Sequence, residues 1–193
     1  MTKFGQAGFG GLLSFKHSKV AYVADFALLY ISIAGLAAFL LVSGARERLA
    51  EVAAFALMGL GGWTLIEYVL HRFVLHGLEP FQYWHALHHQ RQTDLIYAPV
   101  ILTASVATGL VFVPVWMMGG LPRACALMLG LLIGYVTYSV THHAVHHWTC
   151  DGAWLRGRKR WHSLHHRPRQ PAGRYGVTTA FWDHVFRSTA QPE

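Results

Sequence analysis

The chain has 193 residues, of which 53% are hydrophobic and only 13% are charged, and its net charge is +7. This length accommodates one domain, and we expect a single domain over residues 1–193. The positive charge does not indicate nucleic-acid binding, because the lysines and arginines are sorted between the flanks of long apolar segments. Two cysteines, Cys125 and Cys150, provide no disulfide framework.

Four apolar segments are long enough to cross a bilayer, which takes about 20 residues as a helix. They cover residues 20–42, 50–70, 95–118 and 121–140 and follow a short amphipathic lead-in over residues 1–19. Short connections at Gly44 and at Gly119–Gly120 join them in pairs. The pattern predicts an all-α fold, an integral membrane four-helix bundle made of two helical hairpins.

The basic residues predict the orientation of this bundle. Most of them precede the first segment, lie between the second and third, or follow the fourth, whereas Arg46, Arg48 and Arg123 lie on the opposite side. By the positive-inside rule, both termini are expected in the cytoplasm. Residues 71–94 and 141–193 then form a cytoplasmic cap, at the inner membrane of a bacterium or the endoplasmic reticulum of a eukaryote.

Ten of the fourteen histidines form four short clusters within the sequences HRFVLH, HALHH, HHAVH and HSLHH, the third of which also contains His143. The predicted ligands are His71, His76, His85, His88, His89, His142, His146, His162, His165 and His166. All four clusters fall on the predicted cytoplasmic face, so we expect them to converge. Imidazole is the commonest metal ligand in proteins, and ten of them suit two metal ions.

Helical spacing supports shared coordination within the clusters, because residues three and four apart lie on one face. Both HxxHH triplets, 85–89 and 162–166, meet this condition. His142 and His146 do so too, although His143 and His147 form an equally good pair. His71 and His76 are five residues apart and diverge by roughly 140° on a regular helix, so they need a helix that ends or distorts between them.

Two acidic residues lie in the apolar segments. Glu67 precedes His71 by one turn, and we expect it to accept a hydrogen bond from a ligating imidazole; the alternative is that it pairs with Arg72 or with water at the interface. Asp25 is expected to pair with Lys19 or with a polar group across the bundle.

The motifs resemble those of the fatty acid hydroxylase superfamily, which includes sterol desaturases and C-4 methyl oxidases. They are GWTLIEYVLHRFVLH (62–76), YWHALHH (83–89), YSVTHHAVHH (138–147), KRWHSLHH (159–166) and RYGVTTAFWDHVFRST (174–189). The third is similar to the form in fatty acid 2-hydroxylases and favours His142 and His146 over His143 and His147. Ser139 replaces an aspartate of that form, and Arg187 replaces a glycine.

The resemblance implies a membrane-bound, non-haem di-iron oxygenase, with zinc able to replace iron during purification. The expected reaction is hydroxylation of a lipid C–H bond, first of all in a fatty acyl chain. It uses O2 and electrons from an external cytochrome b5-like or ferredoxin-like donor. An all-imidazole site also suits copper, nickel or zinc.

Two alternatives remain open. The same site can serve a lipid or sterol desaturase or a carotenoid hydroxylase. A non-catalytic membrane metal-binding protein or a transporter is disfavoured, because transporters bind their cargo near the bilayer midplane and these histidines gather at one end. His17, His143, His147 and His184 are not expected to bind metal.

Overall fold

The computed structural model describes residues 18–43, 45–95, 100–149, 152–167 and 173–189. The expectations for His17, for Cys150 and for nearly all of the N-terminal lead-in fall outside these residues.

Every regular element in the described ranges is helical, which confirms the all-α prediction. The helices are α1 (Lys19–Val42), α2 (Leu49–Leu75), α3 (Phe81–Gln90), α4 (Val100–Gly119), α5 (Leu121–His147), α6 (Ala153–His165) and α7 (Phe181–Val185). A 3-10 turn at Ala45–Arg48 precedes α2. The wider π-helical geometry occurs at Leu70–Leu75 in α2 and at Thr108–Phe112 in α4.

Four of these helices, α1, α2, α4 and α5, are long and apolar enough to span a membrane, as predicted. Helices α2 and α5 continue beyond their expected ends at residues 70 and 140, so the first and third histidine clusters lie on or directly after membrane helices. Helix α4 is described from Val100 rather than from Leu95, and Leu95 lies outside it.

Helix α5 is the centre of the bundle. In its most apolar window 44% of the residues are buried, against 6–11% in the other three membrane helices, whose side chains mainly face outwards. A Cβ atom at Gly130 of α5 would lie 1.9 Å from the carbonyl oxygen of Ala56, and one at Gly59 would lie 2.1 Å from that of Leu127. The backbones of α2 and α5 therefore touch, as small residues permit in membrane proteins, and this contact sets the first and third histidine clusters side by side.

Candidate metal centre

Nine of the ten predicted ligands form two compact groups at the end of the bundle where α2 and α5 finish. Within each group, one nitrogen from every ring lies within 4.8 Å of the others. Site A contains His71, His76, His85, His89 and His165, and site B contains His88, His142, His146 and His162. The four clusters of the sequence thus meet in space.

Each HxxHH triplet supplies both sites. On α3, His85 and His89 belong to site A and His88 to site B, while on α6 His165 belongs to site A and His162 to site B. The tenth histidine, His166, lies between them. Its Nε2 is 2.9 Å from Nε2 of His162, and its ring stacks on His89 at 4.1 Å.

The distortion that His71 and His76 require is present in α2. The π-helical turn Leu70–Leu75 widens the end of the helix, and His76 follows directly after it. The two rings are consequently stacked with their centroids 5.3 Å apart, and both belong to site A.

Helix α5 turns His142 and His146 towards the site and the competing pair away from it. The rings of His143 and His147 stack on each other at 4.4 Å, and Nδ1 of His143 is 2.8 Å from the Tyr22 hydroxyl of α1. His184 also lies outside both groups, with its ring 5.8 Å from Trp161.

The nitrogen positions fit metal ligation better than hydrogen bonding. Nε2 of His85 is 3.0 Å from Nε2 of both His71 and His89, and a single proton on His85 cannot serve both neighbours. Two bonds of about 2.1 Å to one metal at a right angle place their nitrogens about 3.0 Å apart. In site B, the Nε2 atoms of His146 and His162 are 2.8 Å apart.

Backbone carbonyl groups fix the tautomers of two of these rings. Nδ1 of His71 is 2.5 Å from the Tyr175 oxygen, and Nδ1 of His165 is 2.7 Å from the Gly173 oxygen. A carbonyl only accepts, so Nδ1 must carry the proton and Nε2 a lone pair. Lone pairs directed into one small space are suited to bind a cation there.

Burial keeps the rings neutral, as metal ligands must be. Desolvation, reinforced by neighbouring histidines, lowers the pKa of His76 to about 4 and that of His88 and His89 to about 3. It also holds the pKa of His85 and His162 well below the usual range. His88 is only 4% exposed, and neither of its nitrogens has a hydrogen-bond partner in the described structure, so a metal ligand is a suitable role for this buried ring.

Glu67 requires a correction to the sequence-based expectation. Its carboxylate does not accept from an imidazole in the described structure. It accepts from the backbone N–H groups of Val177 and Thr178, at 2.7 and 2.9 Å, and from the Thr178 hydroxyl at 2.6 Å. These bonds hold the segment that carries the Tyr175 carbonyl, so Glu67 supports His71 through that segment rather than directly.

Sequence reasoning assigned no role to the backbone of residues 173–178, which provides these carbonyl groups. Asp183 of α7 holds the same segment by accepting from the N–H groups of Tyr175 and Gly176, both at 2.8 Å, and from the Ser188 hydroxyl at 2.6 Å. Asp183 is fully buried. The C-terminal motif 174–189 contains both Asp183 and the segment that it holds. The spacing of these residues in the sequence does not reveal that they lie beside the candidate metal centre.

An apolar cavity of about 590 Å³ leads from the histidines into the membrane part of the bundle. At one end it is lined by histidines of both sites, including His71, His88 and His142. Further along, its wall comes from α1, α2, α4 and α5, with Phe26 and Leu110 among the lining residues. Because Leu110 is 74% exposed, the cavity reaches the outer surface of α4.

The family model for fatty acid hydroxylases matches residues 56–188, which include all four histidine clusters and the C-terminal segment. The chain belongs to the fatty acid hydroxylase family. Its four apolar helices further indicate an integral membrane protein.

Named relatives in this family include 2-hydroxylases. The chain is 33% identical to dihydroceramide fatty acyl 2-hydroxylase FAH2 of Arabidopsis thaliana over 70% of its own length and 60% of the plant protein. It is also 33% identical to fatty acid 2-hydroxylase of Rattus norvegicus, over 70% of its own length and 39% of the rat protein. The matched part thus spans about three fifths or less of these relatives.

A solved structure shares the fold. It is that of full-length scs7p, in which only the hydroxylase domain is visible, and the TM-score is 0.70 at 26% identity. The similarity covers 93% of this chain and 70% of the other.

Proposed function

We propose that this protein is a membrane-bound di-iron oxygenase that hydroxylates a C–H bond in the fatty acyl chain of a lipid. The observation that carries the proposal is the junction of two histidine groups with the end of an apolar cavity. A lipid chain in this cavity would bring its carbons to both groups at once. The 2-hydroxylase names of the relatives support a position next to the acyl carbonyl.

In this proposal site A and site B hold one metal each. Helices α3 and α6 contribute to both sites, so they would fix the separation of the two ions. His166 contacts His162 and His89 and is assigned as an additional ligand at the boundary. Neither group contains a cysteine, which structural zinc sites often have, and this all-imidazole ligand set favours an oxygenase over a structural zinc site.

Bound iron would supply the activation of O2, and the protein supplies the geometry. The Tyr175 and Gly173 carbonyls orient the rings of His71 and His165. The apolar walls of the cavity exclude water from the reacting carbon. Electrons would come from an external cytochrome b5-like or ferredoxin-like donor at the basic cap, and both termini are proposed to lie in the cytoplasm.

The proposal is tested by supplying metal-loaded protein with lipid, a reductant system and isotopically labelled O2. Mass spectrometry should find a hydroxylated acyl chain that carries label from O2. Label from water would contradict an oxygenase, and a new double bond without label would favour the desaturase alternative.

Variants that lack one histidine test whether each site holds one metal ion. His85→Ala should remove the site A ion and His142→Ala the site B ion, so each should lower the metal content from about two ions per chain towards one. Both should abolish hydroxylation. His184→Ala, outside both groups, is the matched control and should retain metal and activity. Equal loss of metal in the control would contradict the assignment.

A further inference from the structure

The C-terminal helix α7 packs beside the membrane helix α2 rather than beyond its end. The indole N–H of Trp182 donates to the Thr64 hydroxyl at 2.9 Å, and the Phe186 ring stacks on Tyr68 with the centroids 5.3 Å apart. Thr64 and Tyr68 precede Leu75, the last residue of α2, by about 16 and 10 Å at a rise of 1.5 Å per residue. Helix α7 therefore lies alongside the last turns of a helix that spans the membrane.

Charged residues indicate where α2 can leave the hydrocarbon layer. Between Glu51 and Arg72 lie 20 residues, and Glu67 is the one acidic or basic residue among them. As a helix they measure about 30 Å, which is the thickness of that layer. Thr64 and Tyr68 precede Arg72 by about 12 and 6 Å along the helix. The level at which α7 packs is therefore the boundary of the layer or just inside it.

The surface of α7 that faces away from α2 is apolar and exposed. Phe181 is 58% exposed, Val185 50% and Phe186 48%; these three side chains are here called the outer face of α7. Val69 and Phe73 of α2 are 39% and 54% exposed, so the outer face continues the surface that α2 presents to lipid. Exposed apolar patches of this kind mark contacts with a protein or a membrane, and this position favours the membrane.

The irregular backbone that leads into α7 meets the requirement for such a chain at membrane depth. Water cannot satisfy its polar groups there, so buried partners in the protein must do so. The four N–H groups of residues 175–178 donate to the carboxylates of Asp183 and Glu67. Asp183 is fully buried and Glu67 is 4% exposed. Two buried carboxylates thus replace water for four consecutive backbone donors.

We propose that residues 173–186 form an interfacial element, whose outer face inserts into the phospholipid bilayer at the boundary between headgroups and acyl chains. Aromatic side chains are typical of this layer. Arg187 follows directly and is exposed, and its long side chain can reach the phosphate groups. The segment whose Tyr175 carbonyl orients His71 is then held by the membrane as well as by the protein.

The test measures the depth of single labelled cysteines in full-length, metal-loaded protein in phosphatidylcholine and phosphatidylglycerol vesicles. The background carries Cys125→Ala and Cys150→Ala, and a small fluorophore is attached at Phe181→Cys or at Val185→Cys. Two quenchers are compared, phospholipids brominated on the upper part of the acyl chain and aqueous iodide. Both labels should lose fluorescence to the brominated lipid and should be protected from iodide.

Matched controls come from two other exposed positions. Ser163 is exposed on α6 beside the predicted ligand His162, and a label at Ser163→Cys should be quenched by iodide and not by lipid. Leu110 is 74% exposed in the middle of α4, and a label at Leu110→Cys should be quenched by lipid brominated deeper in the chain. A metal content equal to that of the wild type shows that each variant is folded.

Iodide quenching at Phe181 and Val185 as strong as at Ser163 would overturn the inference, because the outer face would then lie in water. Protection from both quenchers would also overturn it, because another part of this chain or a second copy would then cover the face. Neither result depends on catalysis, so either one leaves the proposed hydroxylation to its own isotope test.

Discussion

At the scale of single residues, the orientation of the ligands depends on a carboxylate that touches no ligand. Glu67 accepts three hydrogen bonds from Val177 and Thr178. Two residues before Val177, the Tyr175 carbonyl accepts a hydrogen bond from Nδ1 of His71. Groups that orient a ligating histidine tune the metal affinity of the site. Glu67 should therefore influence site A through the backbone.

Glu67→Gln tests this link. Glutamine keeps one oxygen for the two backbone N–H groups and places an NH2 group opposite the Thr178 hydroxyl, so that bond must reverse its direction. The negative charge that strengthens all three bonds is lost, and the Tyr175 carbonyl is held less firmly. We expect metal affinity or activity to fall about 10-fold, at the lower end of the effect of such orienting groups, while the protein remains folded. Metal retention against a chelator is the measurement.

The matched control is Glu51→Gln. Glu51 pairs with Arg123 at the opposite end of the bundle, with both side chains partly exposed, and such pairs contribute little to stability. Equal metal retention in wild type and Glu67→Gln would show that the C-terminal segment keeps its position without this carboxylate.

At the scale of elements, the contact between α2 and α5 determines whether the histidines meet. Gly130 packs against the backbone of Ala56, and these two helices carry His71 and His142 a few turns further on. A change that separates the helices should therefore disturb the metal centre at a distance.

Gly130→Ala should destabilise the bundle. Its new Cβ would lie 1.9 Å from the Ala56 carbonyl oxygen, and overpacking of this kind costs about 1–3 kcal/mol. Thermal unfolding in detergent should show a lower midpoint and earlier release of metal. Gly61→Ala is the control on α2, because no atom lies within 4 Å of its new Cβ; identical midpoints for the two variants would contradict the close contact.

At the scale of the whole molecule, the buried imidazoles make the metal-free protein sensitive to acid. The folded-state pKa is about 4 for His76 and about 3 for His88 and His89, against 6.5 for an ordinary histidine. The unfolded chain therefore binds more protons between these values, and stability falls as the pH falls. The contribution is fully present above about pH 6.5 and is lost towards pH 4.

We expect the thermal midpoint of the metal-free protein to decrease steadily from pH 7 to pH 4.5. The combined variant His76→Gln and His89→Gln should have a shallower dependence, because two of the groups that resist protonation are gone. A midpoint that does not change over this range in the wild type would contradict the burial of neutral rings.

The orientation in the membrane is a further prediction for the whole chain. Reporter domains fused after Glu193 and inserted beside Arg48 should report opposite sides, with the former in the cytoplasm, because the basic residues concentrate on that side. Reports from the same side would contradict the three membrane crossings expected between Arg48 and Glu193.

Local sequence patterns were sufficient to predict the helices, the shared helix face of each HxxHH triplet and the histidine character of the candidate ligands. Hydrophobic length predicted four membrane helices, because an apolar segment of about 20 residues has no other stable arrangement in a bilayer. The spacing of His85, His88 and His89 placed their rings on one turn, since helical geometry depends only on neighbours along the chain. The need for a distortion between His71 and His76 followed from the same geometry.

Contacts between distant parts of the chain decided which histidine pair faces the site and which groups Glu67 binds. Spacing could not choose between His142 with His146 and His143 with His147, because only the packing of α5 against α1 and α2 determines which face points inwards. The partners of Glu67 lie 110 and 111 residues away, and a carboxylate in a sequence does not reveal which backbone groups will reach it. The sequence by itself therefore determined the elements and the chemistry of their side chains, whereas the tertiary structure decided which of those side chains share one site.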